Sequence, residues 1–135
     1  MGTPESNFWK IVRKNLPKKS FATRIESRIA SGVPDCHIVW DGLVFWLELK
    51  TTKNNTIKIS PNQIAWNTAY FSKGGLCFYL VNDARDKTIY LFEGNQGSSL
   101  VDIGLRTSAL YQGYKLGEMF EVICSPSATL CPCVK

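Results

Sequence analysis

Asp35, Glu48 and Lys50 are the residues whose types and spacing could carry a reaction. They fall within one stretch, residues 32–50, which reads GVPDCHIVWDGLVFWLELK. Asp41-Gly42 stands between two apolar runs, the pattern of a two-residue type I′ hairpin turn. If these two residues form the loop, Trp40 faces Leu43, and the same register carried outward sets Asp35 directly opposite Glu48. Lys50 then shares the face of Glu48, one pleat further on. Cross-strand partners have Cβ atoms about 5 Å apart, and alternate residues of one strand about 7 Å. The spacing therefore predicts two carboxylates and an amine on one small patch. Carboxylates about 4 to 5 Å apart repel by about 3 to 4 kcal/mol at an effective dielectric near 20. They stay ionised together only beside a cation. Two hard oxygen donors suit Mg²⁺, with Mn²⁺ as a substitute, because such ions keep most of their water. An ion of this kind acidifies water and neutralises charge on a phosphoryl oxygen, and an amine alongside can orient the attacking water. The chemistry expected is hydrolysis of a phosphodiester.

A plainer reading stands beside it. Two acids and a lysine could also form a solvated sheet edge, where lysine is common. The apolar run Leu43–Leu49 argues for the site, since an inward Glu48 without a partner would be costly. His37 shares the face of Asp35 in this register, as a site residue or as a hydrogen-bonded structural one.

The elements that position these groups follow from the flanking sequence. Thr3-Pro4-Glu5 opens a helix, with threonine as N-cap, proline first and an acid in the first turn. Phe8, Ile11, Val12 and Leu16 give it an apolar stripe, and Pro17 ends it. Phe21–Ile25 reads as a short strand. A polar loop over 26–32 follows, with Arg24 and Arg28 close by, and then the hairpin. Residues 51–58 form a polar turn around Asn54-Asn55 and carry Lys53 and Lys58. Ser60-Pro61-Asn62-Gln63 holds a complete capping box, so a helix starts there and ends at Gly74-Gly75. Leu76–Val81 is expected as a buried strand, Thr88–Phe92 as an outer strand and 94–99 as a loop. Residues 100–112 are ambiguous between a short helix and irregular structure, and Phe120–Cys124 reads as a last strand. Residues 1–125 form the expected domain, with 126–135 as a loose tail.

Composition sets the class. With 135 residues, 44% of them hydrophobic, the chain can build one well-filled core. No apolar run is long enough to span a membrane, and no basic-then-apolar leader is visible, so the expected location is the cytoplasm, of the host cell if the source is viral. The net charge of +5 is uneven: residues 1–60 hold 10 Lys and Arg against 5 Asp and Glu, while 61–135 hold 6 against 6. All the excess sits with the candidate site and favours a polyanion, most simply a nucleic acid. The 5 cysteines are an odd set without an export signal and read as reduced thiols. Cys131-Pro132-Cys133 lacks the second ligand pair that a zinc site needs.

Pro34-Asp35 followed by Glu48-Leu49-Lys50 across a hairpin resembles the PD-(D/E)XK nuclease signature. SGVPD, then FWLELK, then ISPNQIAW before a Gly-Gly and an apolar strand, resembles the VRR-NUC branch, common in phages and similar to archaeal Holliday-junction resolvases. The resemblance covers about residues 4–81. It implies a restriction-endonuclease-like α/β fold, a mixed central sheet flanked by helices. It implies that Asp35, Glu48 and the carbonyl of Leu49 bind the divalent ion and that Lys50 assists the attacking water. Glu5 matches the helix acid that completes the metal shell, with Glu26 a rival, and Gln63 matches a glutamine near the active site. Arg24, Arg28 and Lys53 are the expected DNA contacts. The expectation is a Mg²⁺-dependent endonuclease on branched DNA such as a four-way junction, acting as a homodimer. A less selective nuclease of single-stranded or flapped DNA, and a silent DNA-binding module, are the alternatives.

Overall fold

The Asp41-Gly42 turn forms as its residue types dictate. Both residues have positive φ, 52° and 80°, the left-handed pair that a type I′ turn requires. It joins β2 (Cys36–Trp40) to β3 (Leu43–Thr52), with Trp40 opposite Leu43 and Cys36 opposite Leu47. The expected register holds. A computed structural model describes residues 3–25 and 32–124.

The hairpin lies within a six-stranded sheet of order β1-β2-β3-β4-β5-β6. Its other strands are β1 (Phe21–Arg24), β4 (Leu76–Asp83), β5 (Thr88–Glu93) and β6 (Tyr111–Gly113). Every neighbouring pair is antiparallel except β3 and β4, which run parallel. A parallel pair needs a long crossover, and α2 (Pro61–Ser72) supplies it. The α/β class with a mixed sheet between helices is as expected.

One face of the sheet is sealed by α1 (Pro4–Lys14) and α4 (Leu116–Cys124). Phe8, Trp9 and Val12 of α1, with Met119, Phe120 and Ile123 of α4, close over Ile38, Phe45, Leu47, Leu49, Leu80 and Leu91. The other face has a smaller core of Ile57, Ile59, Tyr79, Val81, Phe92 and Leu100. There α2 packs against β4 and against α3 (Gly97–Ile103), with a 3-10 turn over Gly94–Gln96 alongside. Cys36 and Cys77 are buried free thiols, as expected of small core residues.

Four expectations need correction. Phe120–Cys124 is the end of a helix, because Leu116, Met119, Phe120 and Ile123 recur at helical spacing and all are buried. β5 is no outer strand, since β6 pairs along its far edge. Residues 94–99 begin helical structure rather than a loop. Ile11 is 51% exposed, and Trp9 takes its place on the buried stripe of α1. Glu26, Arg28 and the tail at 126–135 lie outside the described residues.

Candidate active site

Alternation along β3 separates two kinds of residue. Leu47 and Leu49 point into the core under α1, and Glu48 and Lys50 point to the α2 side. Glu48 is only 2% exposed, while Lys50 reaches further out. Asp35 arrives from the start of β2, where the Ile25 N–H donates to its carbonyl and continues the β1–β2 ladder. The Leu49 N–H donates to Asp35 Oδ2 at 3.0 Å, which pins the aspartate against the second half of β3. An extended residue sends its N–H and C=O toward the same neighbour. The Leu49 carbonyl therefore also faces the Asp35 side.

The third wall is the first turn of α2. The Ser60 Oγ accepts from the Gln63 N–H at 3.1 Å, and the Gln63 Oε1 accepts from the Ser60 N–H at 3.1 Å, which closes the capping box. The same Gln63 amide reaches the carboxylate: Nε2 donates to Glu48 Oε2 at 2.9 Å, and Oε1 accepts from Lys50 Nζ at 3.1 Å. Lys50 Nζ stands 3.5 Å from Glu48 Oε2. One side chain thus caps a helix and orients both the acid and the amine.

Electrostatics mark the carboxyl pair as unusual. Burial, then the neighbouring charge of Asp35, pushes the Glu48 carboxyl up to about 8. Burial also raises Asp35, partly offset by the Leu49 N–H and by the charges of Lys50 and Arg24. Without a cation, the pair holds a proton between them near neutral pH. Glu48 Oε1 is buried and receives no hydrogen bond. An orphan carboxylate oxygen beside a second carboxylate, with a backbone carbonyl on the same side, suits a hard divalent ion. The residues present fit Mg²⁺ or Mn²⁺.

These groups open on a cleft of about 630 Å³ lined by Glu5, Asp35, Glu48, Leu49, Lys50, Gln63 and the segment after β3. Glu5 thus reaches the cleft, as α1 crosses the end of β3. It does not join a tight cluster, for among the described residues no three Asp, Glu, His or Cys side chains gather closely enough to hold an ion. The protein offers two carboxylates, as a largely hydrated Mg²⁺ requires.

The remaining expected residues separate. Lys53 is on the cleft wall and exposed. Arg24 Nη1 donates to Ser6 Oγ at 3.2 Å, tying β1 to α1, and its charge acts on Asp35. His37 packs on Trp46 with ring centroids 4.9 Å apart and is not part of the cleft wall. Thr51, Thr52, Asn54, Thr56 and Lys58 line the cleft although none was among the expected site residues. Their signal was the polar run TTKNNTIK directly after Lys50. Its loop is braced where the Leu105 N–H donates to Asn55 Oδ1 at 2.7 Å.

No protein-family model matches the sequence, and no curated protein matches it. Among solved structures, one described as a VRR_NUC domain is similar, with a TM-score of 0.49 and 18% identity, covering 75% of this chain and 97% of that chain.

Proposed function

We propose that this chain is a Mg²⁺-dependent DNA endonuclease that hydrolyses phosphodiester bonds in branched DNA. The observation that carries this reading is the buried Asp35–Glu48 pair with Lys50 held beside it by Gln63. Asp35, Glu48 and the Leu49 carbonyl would hold the ion, and Glu5 would meet its water shell from across the cleft. When bound, the ion would supply Lewis-acid chemistry at a phosphoryl oxygen and make water more acidic. Lys50, its Nζ directed by the Gln63 Oε1, would orient the attacking water and stabilise charge developing on the phosphate. Gln63 Nε2 holds Glu48 in one rotamer, so the carboxylate need not reorganise as charge develops. Lys53 and Lys58 on the wall would take neighbouring phosphates, in keeping with the positive half of the chain.

The motif order supports branched substrates such as a four-way junction, cut in the cytoplasm by a homodimer whose two sites address two symmetric strands. The test uses labelled four-way junction, flap and linear duplex, each with and without Mg²⁺. Junction should be cut in preference to duplex, only with the ion. Asp35→Asn should abolish cutting yet bind junction as well as or better than the unaltered protein, because a repulsive carboxylate is gone. Full cleavage by Asp35→Asn would end the metal-site reading, and equal cutting of all three substrates would end the branched-DNA reading.

A further inference from the structure

The α2 side of the sheet is covered unevenly. Helix α2 packs on β4 and beside α3 and touches β3 through Trp66, and among the described residues no helix makes an extensive contact with β1 or β2 on that side. The strand register sets out what remains there in rows. Phe21, Val39 and Val44 stand side by side, and Thr23, His37 and Trp46 form the next row. The row after that reaches Glu48. Phe21 is 65% exposed and Val44 46%.

Aromatic rings continue this strip onto the helix. Trp46 meets His37 at 4.9 Å and Trp66 at 5.6 Å, and Trp66 stacks on Tyr70 at 4.8 Å with planes 16° apart. All four residues are half-buried, so each keeps part of its surface open. Trp46 precedes Glu48 by two residues on the same face of β3, about 7 Å along the strand. On the other side of Glu48 the same face continues to Lys50, and Lys53 follows on the cleft wall. One end of this line is therefore cationic and polar, and the other is aromatic, with the carboxyl pair between them.

A single DNA strand has this same division of chemistry. Its phosphates seek lysines, and its bases, when unpaired, stack on aromatic rings. In a duplex the bases are already stacked and present only their edges. We propose that the open β1–β3 face binds unpaired nucleobases of the strand whose phosphate lies at Asp35 and Glu48. This rests on the hydrolase reading above and specifies that the branched DNA offers an unpaired stretch, as in a flap, a splayed end or the opened centre of a junction. The occupant is nucleic acid rather than a second copy of this chain, because the strip is continuous with a lysine-lined cleft and the excess positive charge lies in this half of the chain.

The test separates bases from phosphates. An oligothymidylate of about a dozen nucleotides and an abasic strand of the same length are titrated against the protein in EDTA, with tryptophan fluorescence as the readout. The thymidylate should quench the fluorescence and bind about tenfold more tightly than the abasic strand. Trp46→Leu should remove most of that difference, and the comparison on the unaltered protein stands even if this variant misfolds. Equal affinities without quenching overturn the proposal. A two-chain mass in sedimentation that Val44→Lys abolishes, again without base-dependent quenching, assigns the face to a second copy and also overturns it. Because EDTA keeps cleavage out of the measurement, Mg²⁺-dependent cutting without quenching removes this inference alone. Quenching without any cutting removes the hydrolase reading and leaves the base-binding face.

Discussion

The two sides of β3 are built from the same strand and do opposite things. Under α1 and α4, Phe45, Leu47 and Leu49 are fully enclosed by other apolar side chains. On the α2 side, Glu48 is almost as deeply buried, but its neighbours are Asp35, Lys50 and Gln63. Burial of a leucine contributes about 2 kcal/mol to stability. Burial of two facing carboxyls works against folding unless a proton or cation joins them. One face of the strand holds the fold together, and the other holds charge in a state the fold alone would not choose. Such opposition within one strand is what a site positioned on rigid structure looks like.

The comparison can be broken by exchanging residues on either side. Glu48→Gln should lower cleavage by about 10³-fold if the proposed ion sits there, since one of its two charged carboxylates is lost. In metal-free buffer at neutral pH it should also raise the melting temperature, because folding no longer has to protonate a buried carboxyl. A variant both active and less stable would contradict the contrast. Leu47→Ala, one residue away on the opposite face, should cost about 3 kcal/mol of stability by leaving a cavity. Its cleavage rate per folded molecule should hold, as denaturant melts run beside rate measurements would reveal. Gln63→Ala acts on both sides of the ledger: cleavage should fall about 10- to 100-fold as Glu48 and Lys50 lose their guide, and loss of its half of the capping box, with the Ser60 cap kept, should cost about 0.5 kcal/mol.

The smallest effect is the dependence on pH. Asp35 and Glu48 hold a proton in the folded chain at pH values where the unfolded chain has released it. Stability without divalent ions should therefore decline as pH rises from the ordinary carboxylate range toward about 8, and level off above that. Mg²⁺ should raise the melting temperature by several degrees near pH 8 and by less near pH 5, because at low pH it competes with the shared proton. Thermal melts across pH, with and without the ion, would show it. An identical slope in Glu48→Gln would mean that other groups produce the trend.

Much of the site was legible because local chemistry decides it. Asp-Gly admits few turn types, so the hairpin register and the meeting of Asp35 with Glu48 could be read before any coordinates. Ser60-Pro61-Asn62-Gln63 likewise encodes its own helix start. What could not be read depends on contacts between distant segments. β6 has only three residues, too few to show a period, so β5 looked like an edge. In α4, Phe120, Val122 and Ile123 favour strands by type, and Gly117 weakens the helical signal. Packing against the sheet overrides both. The approach of Glu5 to the cleft depends on how α1 crosses β3, which no local pattern specifies. The same is true of Arg24, whose hydrogen bond to Ser6 joins residues far apart in the chain.

Gln63 leaves little room for independent change. The amide that shuts the first turn of α2 is also the bracket on which the acid and the amine hang, so fraying at that helix end dismantles the centre before the sheet yields. Warming should therefore silence the protein at a temperature where its core is still intact, and any redesign of the helix start is at the same time a redesign of the chemistry.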